Sequence, residues 1–159
     1  MRSKSLASTG QIQNSMDANA SIIVVGGKQG NSIITKKGGS VKKINIHSSR
    51  ESWKVCLVNN NEFISSGADR TIKLYNIKNE EVKTIDSVSS QVHTLAFLSG
   101  KNILVGGDRS GNIIIWDLST KKRVTSLNSG YGNITSLEFS PSGNMLISGH
   151  QGGVIQQWS

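Results

Sequence analysis

The chain has 159 residues, 35% of them hydrophobic and 18% charged, with three Phe, three Trp and two Tyr. Eighteen Lys and Arg against 10 Asp and Glu leave a formal charge of +8. No apolar run approaches the roughly 18 residues of a membrane span. The polar stretch Met1 to Ala20 lacks the apolar core of a secretory signal, and the lone Cys56 has no second cysteine to pair with. These features argue against a helical membrane protein and a disulfide-stapled domain, and lead us to expect a cytoplasmic or nuclear protein.

Taken in chain order, residues 1–10 form an N-terminal segment in which Ser5 to Ser8 is the one candidate for a short outer strand. Residues 11–49 open on Gln11-Ile12, in step with Gln91-Val92, but carry Ser15 and Asp17 where Leu95 and Phe97 stand later, so this unit is degenerate. In residues 50–89 the pattern predicts strands over 53–58, 63–66, 71–75 and 82–85. Residues 90–130 give the clearest unit, with strands over 91–97, 102–105, 112–116 and 122–127 forming a four-stranded antiparallel meander. The run Asn112 to Trp116 is apolar almost throughout, as expected of a strand buried on both faces. Residues 131–159 repeat the first three of these strands and lack the fourth; Pro141 sits where its fixed φ suits a turn.

The units are in phase. Gly26-Gly27, Ser66-Gly67, Gly106-Gly107 and Ser148-Gly149 each follow an apolar run, in steps of 40, 40 and 42 residues. Thr35, Tyr75, Trp116 and Trp158 then recur at 40, 41 and 42. A period near 40 with strand-like patterning indicates a repeat of stacked sheets. Seventeen glycines suit the many tight turns this requires.

Trp116-Asp117, the turn Phe139-Ser140-Pro141-Ser142-Gly143 and the run from Gly67 to Asn76 together resemble the WD-repeat family. The resemblance spans residues 11–159 and implies an all-β fold of β-propeller blades, each with four antiparallel strands. Four units are few for this family, so we expect an incomplete propeller that self-associates or pairs with further blades, because bare outer flanks would be apolar patches. The resemblance also implies a polar clamp within a blade, matched by His47, Ser65, Asp69 and Tyr75. The Asp position of that clamp holds Gln29, Ser110 or Gly152 in the other units, which are expected to lack it. Trp116, Asp117 and Trp158 are the repeat-signature residues.

Catalytic and cofactor chemistry finds no support in the pattern. His47, His93 and His150 are scattered and have no metal-ligand spacing. His93 falls mid-strand and reads as a sheet-face residue. Gly26-Gly27-Lys28-Gln29-Gly30 and Gly106 to Gly111 are glycine-rich, but neither opens a helix nor ends in the Gly-Lys-Ser/Thr of a phosphate loop. We therefore expect no enzyme, no metal and no cofactor.

The resemblance implies a non-catalytic scaffold for protein–protein interaction. It places partner binding on turns that here carry Lys28, Arg70, Arg109 and Gln151, and on preceding loops that carry Glu51, Gln91 and Asn133. Three basic residues on one rim favour acidic or phosphorylated segments. The alternative is nucleic acid or phosphopeptide held by a basic propeller surface; few aromatics are left for base stacking, which disfavours nucleic acid. Lys36-Lys37, Lys42-Lys43 and Lys121-Lys122-Arg123 lie at sheet edges, where lysine protects against edge-to-edge association.

Overall fold

The computed structural model describes Ser5, residues 7–9 and residues 11–159. It divides into two compact units, Met1–Asp69 with Lys73–Lys83 and Arg70–Ile72 with Thr84–Ser159. The first sheet has β1 (Gln13–Ala18), β2 (Ile22–Gly27), β3 (Gly30–Thr35) and β4 (Val41–Ile44) in that order. The second has β5 (Ser52–Leu57), β6 (Glu62–Gly67), β7 (Thr71–Asn76) and β8 (Val82–Ser87), again in sequence order. In the third, β9 (Val92–Leu98), β10 (Ile103–Asp108), β11 (Asn112–Asp117) and β12 (Lys122–Asn128) are laid side by side in the same way. The fourth has three strands among the described residues: β13 (Ile134–Phe139), β14 (Leu146–His150) and β15 (Ile155–Trp158). Ser5 and residues 7–9 are not in strands, and the rest of the candidate outer strand lies outside the described residues. The architecture is all-β, in sheets of the β-propeller blade type.

One irregularity recurs in every sheet. The first strand bulges against the end of the second, between Gln13 and Ser15, Ser52 and Lys54, Ile134 and Ser136, and opposite Gly107 and Asp108. A bulge at a fixed place adds local twist and re-aims the side chains beside it. A Cβ on Gly27 would meet the Ile12 carbonyl and one on Gly67 the His47 ring, so these strand ends face the loop before the first strand.

Within the first unit, Ile22, Val24 and Ile33 of the first sheet pack on Val55, Phe63 and Tyr75 of the second. The Phe63 and Tyr75 rings meet at 5.3 Å between centroids. Within the second unit, Ala96, Val105 and Ile113 pack on Ile134, Leu137 and Leu146. Both are sheet-on-sheet cores built from alternate strand residues.

The degenerate first strand has its own use. Strand β5 pairs only with β6 in its sheet, so its other edge presents open backbone groups. Ser15 Oγ accepts the Val55 N–H at 3.4 Å, Asp17 Oδ2 accepts the Leu57 N–H at 2.7 Å, and Asn14 Nδ2 donates to the Ser52 carbonyl at 3.0 Å. Polar residues at these places satisfy buried backbone groups, which apolar side chains could not do.

On the first sheet, Val25 and Ile34 are buried. On the fourth, Ile147 and Ile155 are exposed, Ile155 at 77%.

Candidate functional site

The candidate rim is built at one end of each sheet. The turn between second and third strands is tied to the loop before the first strand by a backbone bond. Lys28 N donates to Ile12 O at 3.1 Å, Ala68 N to Glu51 O at 3.0 Å, Arg109 N to Gln91 O at 2.9 Å and Gln151 N to Asn133 O at 3.0 Å. Asn133 Nδ2 adds a side-chain bond to Gln151 Oε1 at 3.1 Å. Glu51, Gln91 and Asn133 are thus half-buried parts of the tie, while Lys28, Arg70, Arg109 and Gln151 project exposed side chains. The backbone beneath those side chains is fixed before any partner arrives.

Arg70 stands apart. Gly30, Gly111 and Gly153 close the corresponding turns with φ of 103°, 88° and 83°, whereas Arg70 holds φ of 59°. A non-glycine residue in the left-handed region costs about 1–2 kcal/mol. The Arg70 guanidinium reaches the Ser89 carbonyl at 3.5 Å.

Behind the Arg70 turn lies a buried polar chain. His47 Nδ1 is 2.9 Å from Asp69 Oδ1 and His47 Nε2 is 3.0 Å from Ser65 Oγ. Asp69 Oδ2 also accepts the Ser48 N–H at 2.9 Å and the Ser48 hydroxyl at 3.2 Å. Ser65 Oγ lies 2.7 Å from Ser52 Oγ, and Asn31 Nδ2 donates to both hydroxyls. The network therefore joins the first and second sheets. Tyr75 takes a different place: its ring packs on Phe63 and it interacts with Lys42. The position expected to receive the Trp side of the clamp is thus part of the apolar core.

Burial pushes the His47 imidazole below its ordinary value of 6.5, overriding the opposing pull of Asp69, with Lys73 adding to the lowering. A neutral ring facing a carboxylate must carry its proton on Nδ1 and donate it to Asp69, so Nε2 accepts the Ser65 hydroxyl. His93 is lowered too, first by burial and then by Arg109. For both, the unfolded chain binds more protons than the folded one below about pH 6.5, so their contribution is intact above that pH and is lost as pH falls toward the depressed folded values. We expect the thermal midpoint to fall between pH 7 and pH 5.5, with a shallower fall in His47→Gln; a flat profile in the parent chain would contradict this placement of the protons.

The third and fourth sheets hold the same turn by other means. Gly67, Asp108 and His150 each end the second strand of their sheet. A Cβ placed on Gly67 would lie 2.3 Å from His47 Nδ1, so a side chain there points into the space of the His47 ring. In the fourth sheet His150 occupies that position itself. Its Nε2 is 3.0 Å from Ser148 Oγ, its Nδ1 3.3 Å from the Gly132 carbonyl, and Ser148 Oγ also accepts the Trp158 Nε1–H at 2.9 Å. The imidazole comes from the strand end instead of the preceding loop. In the third sheet Asp108 is fully buried and accepts the Ser110 and Asn112 N–H groups on Oδ1, at 2.9 and 2.8 Å, and Asn112 Nδ2 on Oδ2 at 2.8 Å. Neither sheet carries the arrangement of His47, Ser65 and Asp69; each holds its turn with a polar residue at the end of its second strand.

Of the signature residues, Trp116 is fully buried and donates Nε1–H to Asp86 Oδ2 at 2.7 Å. Asp117 Oδ1 accepts the Ser119 N–H at 2.8 Å, which shapes the turn into β12. Trp158 is half-buried against the second core. Among the described residues no group of three His, Cys, Asp or Glu is placed to hold a metal ion, and no helix is long and apolar enough to cross a membrane.

The WD domain, G-beta repeat family matches residues 38–76, 79–117 and 121–159. Each match holds the fourth strand of one sheet and the first three of the next, so the sequence repeat is offset from the blade by one strand. Protein ROOT INITIATION DEFECTIVE 3 of Arabidopsis thaliana is 37% identical over 68 residues, 43% of this chain and 16% of that protein. A p21-activated protein kinase-interacting protein 1-like of Danio rerio is 28% identical over 101 residues, 62% of this chain and 27% of that one. The chain thus spans well under a third of the length of these relatives. Among solved structures, the computationally designed Ika4 protein superposes with a TM-score of 0.84 at 22% identity, over 99% of this chain and 98% of that one. The designed Ika8 protein gives 0.78 at 24% identity, over 96% of this chain and 48% of that one. With three family matches at the spacing of its sheets and covering more than half of its residues, the chain belongs to the WD-repeat family.

Proposed function

We propose that the chain is a non-catalytic platform that binds other proteins through the turns between second and third strands, with a preference for acidic or phosphorylated segments. The observation that carries this reading is Arg70, a long cation kept where three sister turns use glycine. A strained backbone at a surface turn is a reason to look for function. Exposed Lys28 and Arg109 hold neighbouring places in the repeat, on turns anchored by the backbone ties, and loops fixed on a stiff scaffold are where binding residues collect. The Danio rerio relative is named for interaction with a kinase, which fits a role in protein binding. The exposed flank of the fourth sheet, with Ile147 and Ile155, is an apolar face on which a further blade or a second copy would pack.

Two variants test the rim. Lys28, Arg70 and Arg109 reversed together to Glu should abolish capture of partners while the far-ultraviolet spectrum stays that of β-sheet. Reversal of Lys121 and Lys122, which leaves the Arg123–Asp86 ion pair intact, should matter less. Arg70→Gly should leave stability nearly unchanged, since relief of about 1 kcal/mol of strain offsets the added chain entropy, yet it should weaken capture. Loss of partners only with the Lys121 set would move the working surface to the opposite edge.

A further inference from the structure

No Asp or Glu stands between Asp17 and Glu51, and the turn from β3 into β4 gathers four of the cations of that stretch. It reads Lys36-Lys37-Gly38-Gly39-Ser40-Val41-Lys42-Lys43, with two lysines on either side of one hydroxyl. All four lysines and Ser40 are exposed. Protection of a sheet edge accounts for Lys42 and Lys43 on β4, but not for Lys36 and Lys37, which lie in the turn. Gly38 and Gly39 hold φ of 100° and 66°, and a Cβ on Gly38 would meet nothing within 4 Å. The tip therefore stands clear of the sheet. Two backbone bonds close it, Thr35 N to Ser40 O and Gly39 N to Thr35 O, both at 3.0 Å. The Ser40 hydroxyl bonds the exposed hydroxyl of Thr35, and Lys42 pairs with exposed Glu80. Exposed pairs of this kind yield readily to a competing partner.

We propose that Ser40 is a phosphorylation site for a protein kinase with an acidic substrate cleft. In the step, Ser40 Oγ bonds to the γ-phosphorus of a nucleoside triphosphate that the kinase holds with magnesium. The bond from that phosphorus to the bridging oxygen breaks, and its electron pair leaves on the nucleoside diphosphate. The hydroxyl proton passes to a carboxylate of the kinase. Four ammonium groups within eight residues, with no acid among them, set the choice of enzyme. An acidic cleft is complementary to each of them, whereas a cleft built for acidic substrates repels them. Val41, half-buried, follows the hydroxyl and offers an apolar contact on its C-terminal side. The phosphate brings a charge of about −1.5 to −2, so the charge of the turn falls from +4 to about +2. The turn lies at the other end of β3 from Lys28, and the inference does not depend on the rim reading.

The test incubates the whole chain with magnesium ATP and the catalytic fragment of protein kinase C, which reads cations on both sides of a hydroxyl. Casein kinase II, which reads acids, is the contrast. Phosphate is counted by intact mass and placed by fragmentation of the digested chain. The first kinase should place phosphate on Ser40 and the second should not. Ser40→Ala should abolish that signal. Lys36 and Lys37 changed together to Gln, or Lys42 and Lys43 together, should each lower kcat/KM at Ser40 about ten- to thirtyfold. These are changes of exposed residues, and an unaltered far-ultraviolet spectrum checks that the variants fold. A peptide of residues 34–45 gives the rate for the open sequence, and the folded chain should come within about tenfold of it. Phosphate on other residues but not on Ser40, indifference to both lysine pairs, or equal action of casein kinase II at Ser40 would overturn the proposal. So would phosphorylation of the peptide alone, by showing that the fold withholds the turn. The readout involves no captured partner, so failure here and failure of the rim reading are told apart.

Discussion

Replacement of Trp116 by Ala should cost about 3–5 kcal/mol, enough to unfold much of a chain whose total stability is of the usual 5–15 kcal/mol. Trp116 is fully buried in β11. Its ring lies so close over Gly106 that a Cβ there would sit 2.8 Å from it. The indole N–H ends on Asp86 Oδ2, which also accepts Arg123 Nε at 2.7 Å, and Arg123 Nη2 reaches the Ser87 carbonyl at 3.2 Å. Burial opposes ionisation of Asp86, but the bonds from Arg123 and Trp116 outweigh it and hold the carboxyl below its ordinary 3.8. Trp116→Ala therefore removes a large side chain and leaves Asp86 with one partner fewer. Trp116→Phe keeps most of the packing and should lose only about 1–2 kcal/mol, close to the worth of a hydrogen bond to a charged group. Gly106→Ala should be destabilising from the other side, by about 1–3 kcal/mol, since the ring must shift. Urea titration of the three variants checks the order; a Trp116→Ala no weaker than Trp116→Phe would mean the ring is not seated as described.

Much of this fold was legible in the chain before its structure. The 40-residue step, the apolar runs and the paired small residues placed the strands to within a few residues, because burial on alternate or on both faces leaves a period that survives divergence. His47, Ser65 and Asp69 were legible through the resemblance to the WD-repeat family, which implies a polar clamp at these positions; buried polar groups there need partners. Two things were not. Tyr75 shares the phase of Trp116, but phase does not say whether an aromatic with a hydroxyl seeks a polar chain or the Phe63 face. Asp108 and His150 stand neither at the Asp69 position nor in the loop before the first strand, the two places where the family's clamp leads one to look. The signal was present: the last residues of the second strands read Gly27, Gly67, Asp108 and His150. The small residue leaves room for the His47 imidazole, and the polar ones supply the clamp themselves. Ser15 and Asp17 read as decay of the repeat in the sequence, although a polar pair two residues apart on one strand face is what an open neighbouring edge requires.

The central claim is that the turns of the second, third and fourth sheets are each held by buried polar bonds from a different residue, which keeps that part of the rim stiff. It is tested most directly by denaturant titration of Asp69→Ala, Asp108→Ala and Ser110→Ala. Asp69 receives His47 Nδ1–H and both donors of Ser48, and Asp108 receives three donors from Ser110 and Asn112. Each loss should cost about 1–3 kcal/mol, because buried donors forfeit their acceptor. Ser110 fills the Asp69 position of its own sheet, but its side chain is exposed and its bond to Asp108 is made by the backbone N–H, so Ser110→Ala should change stability by no more than about 0.5 kcal/mol. Large, similar losses in the two Asp variants with little change in the Ser variant are the expected result. Equal losses for Asp69→Ala and Ser110→Ala, or no loss for Asp108→Ala, would contradict the account.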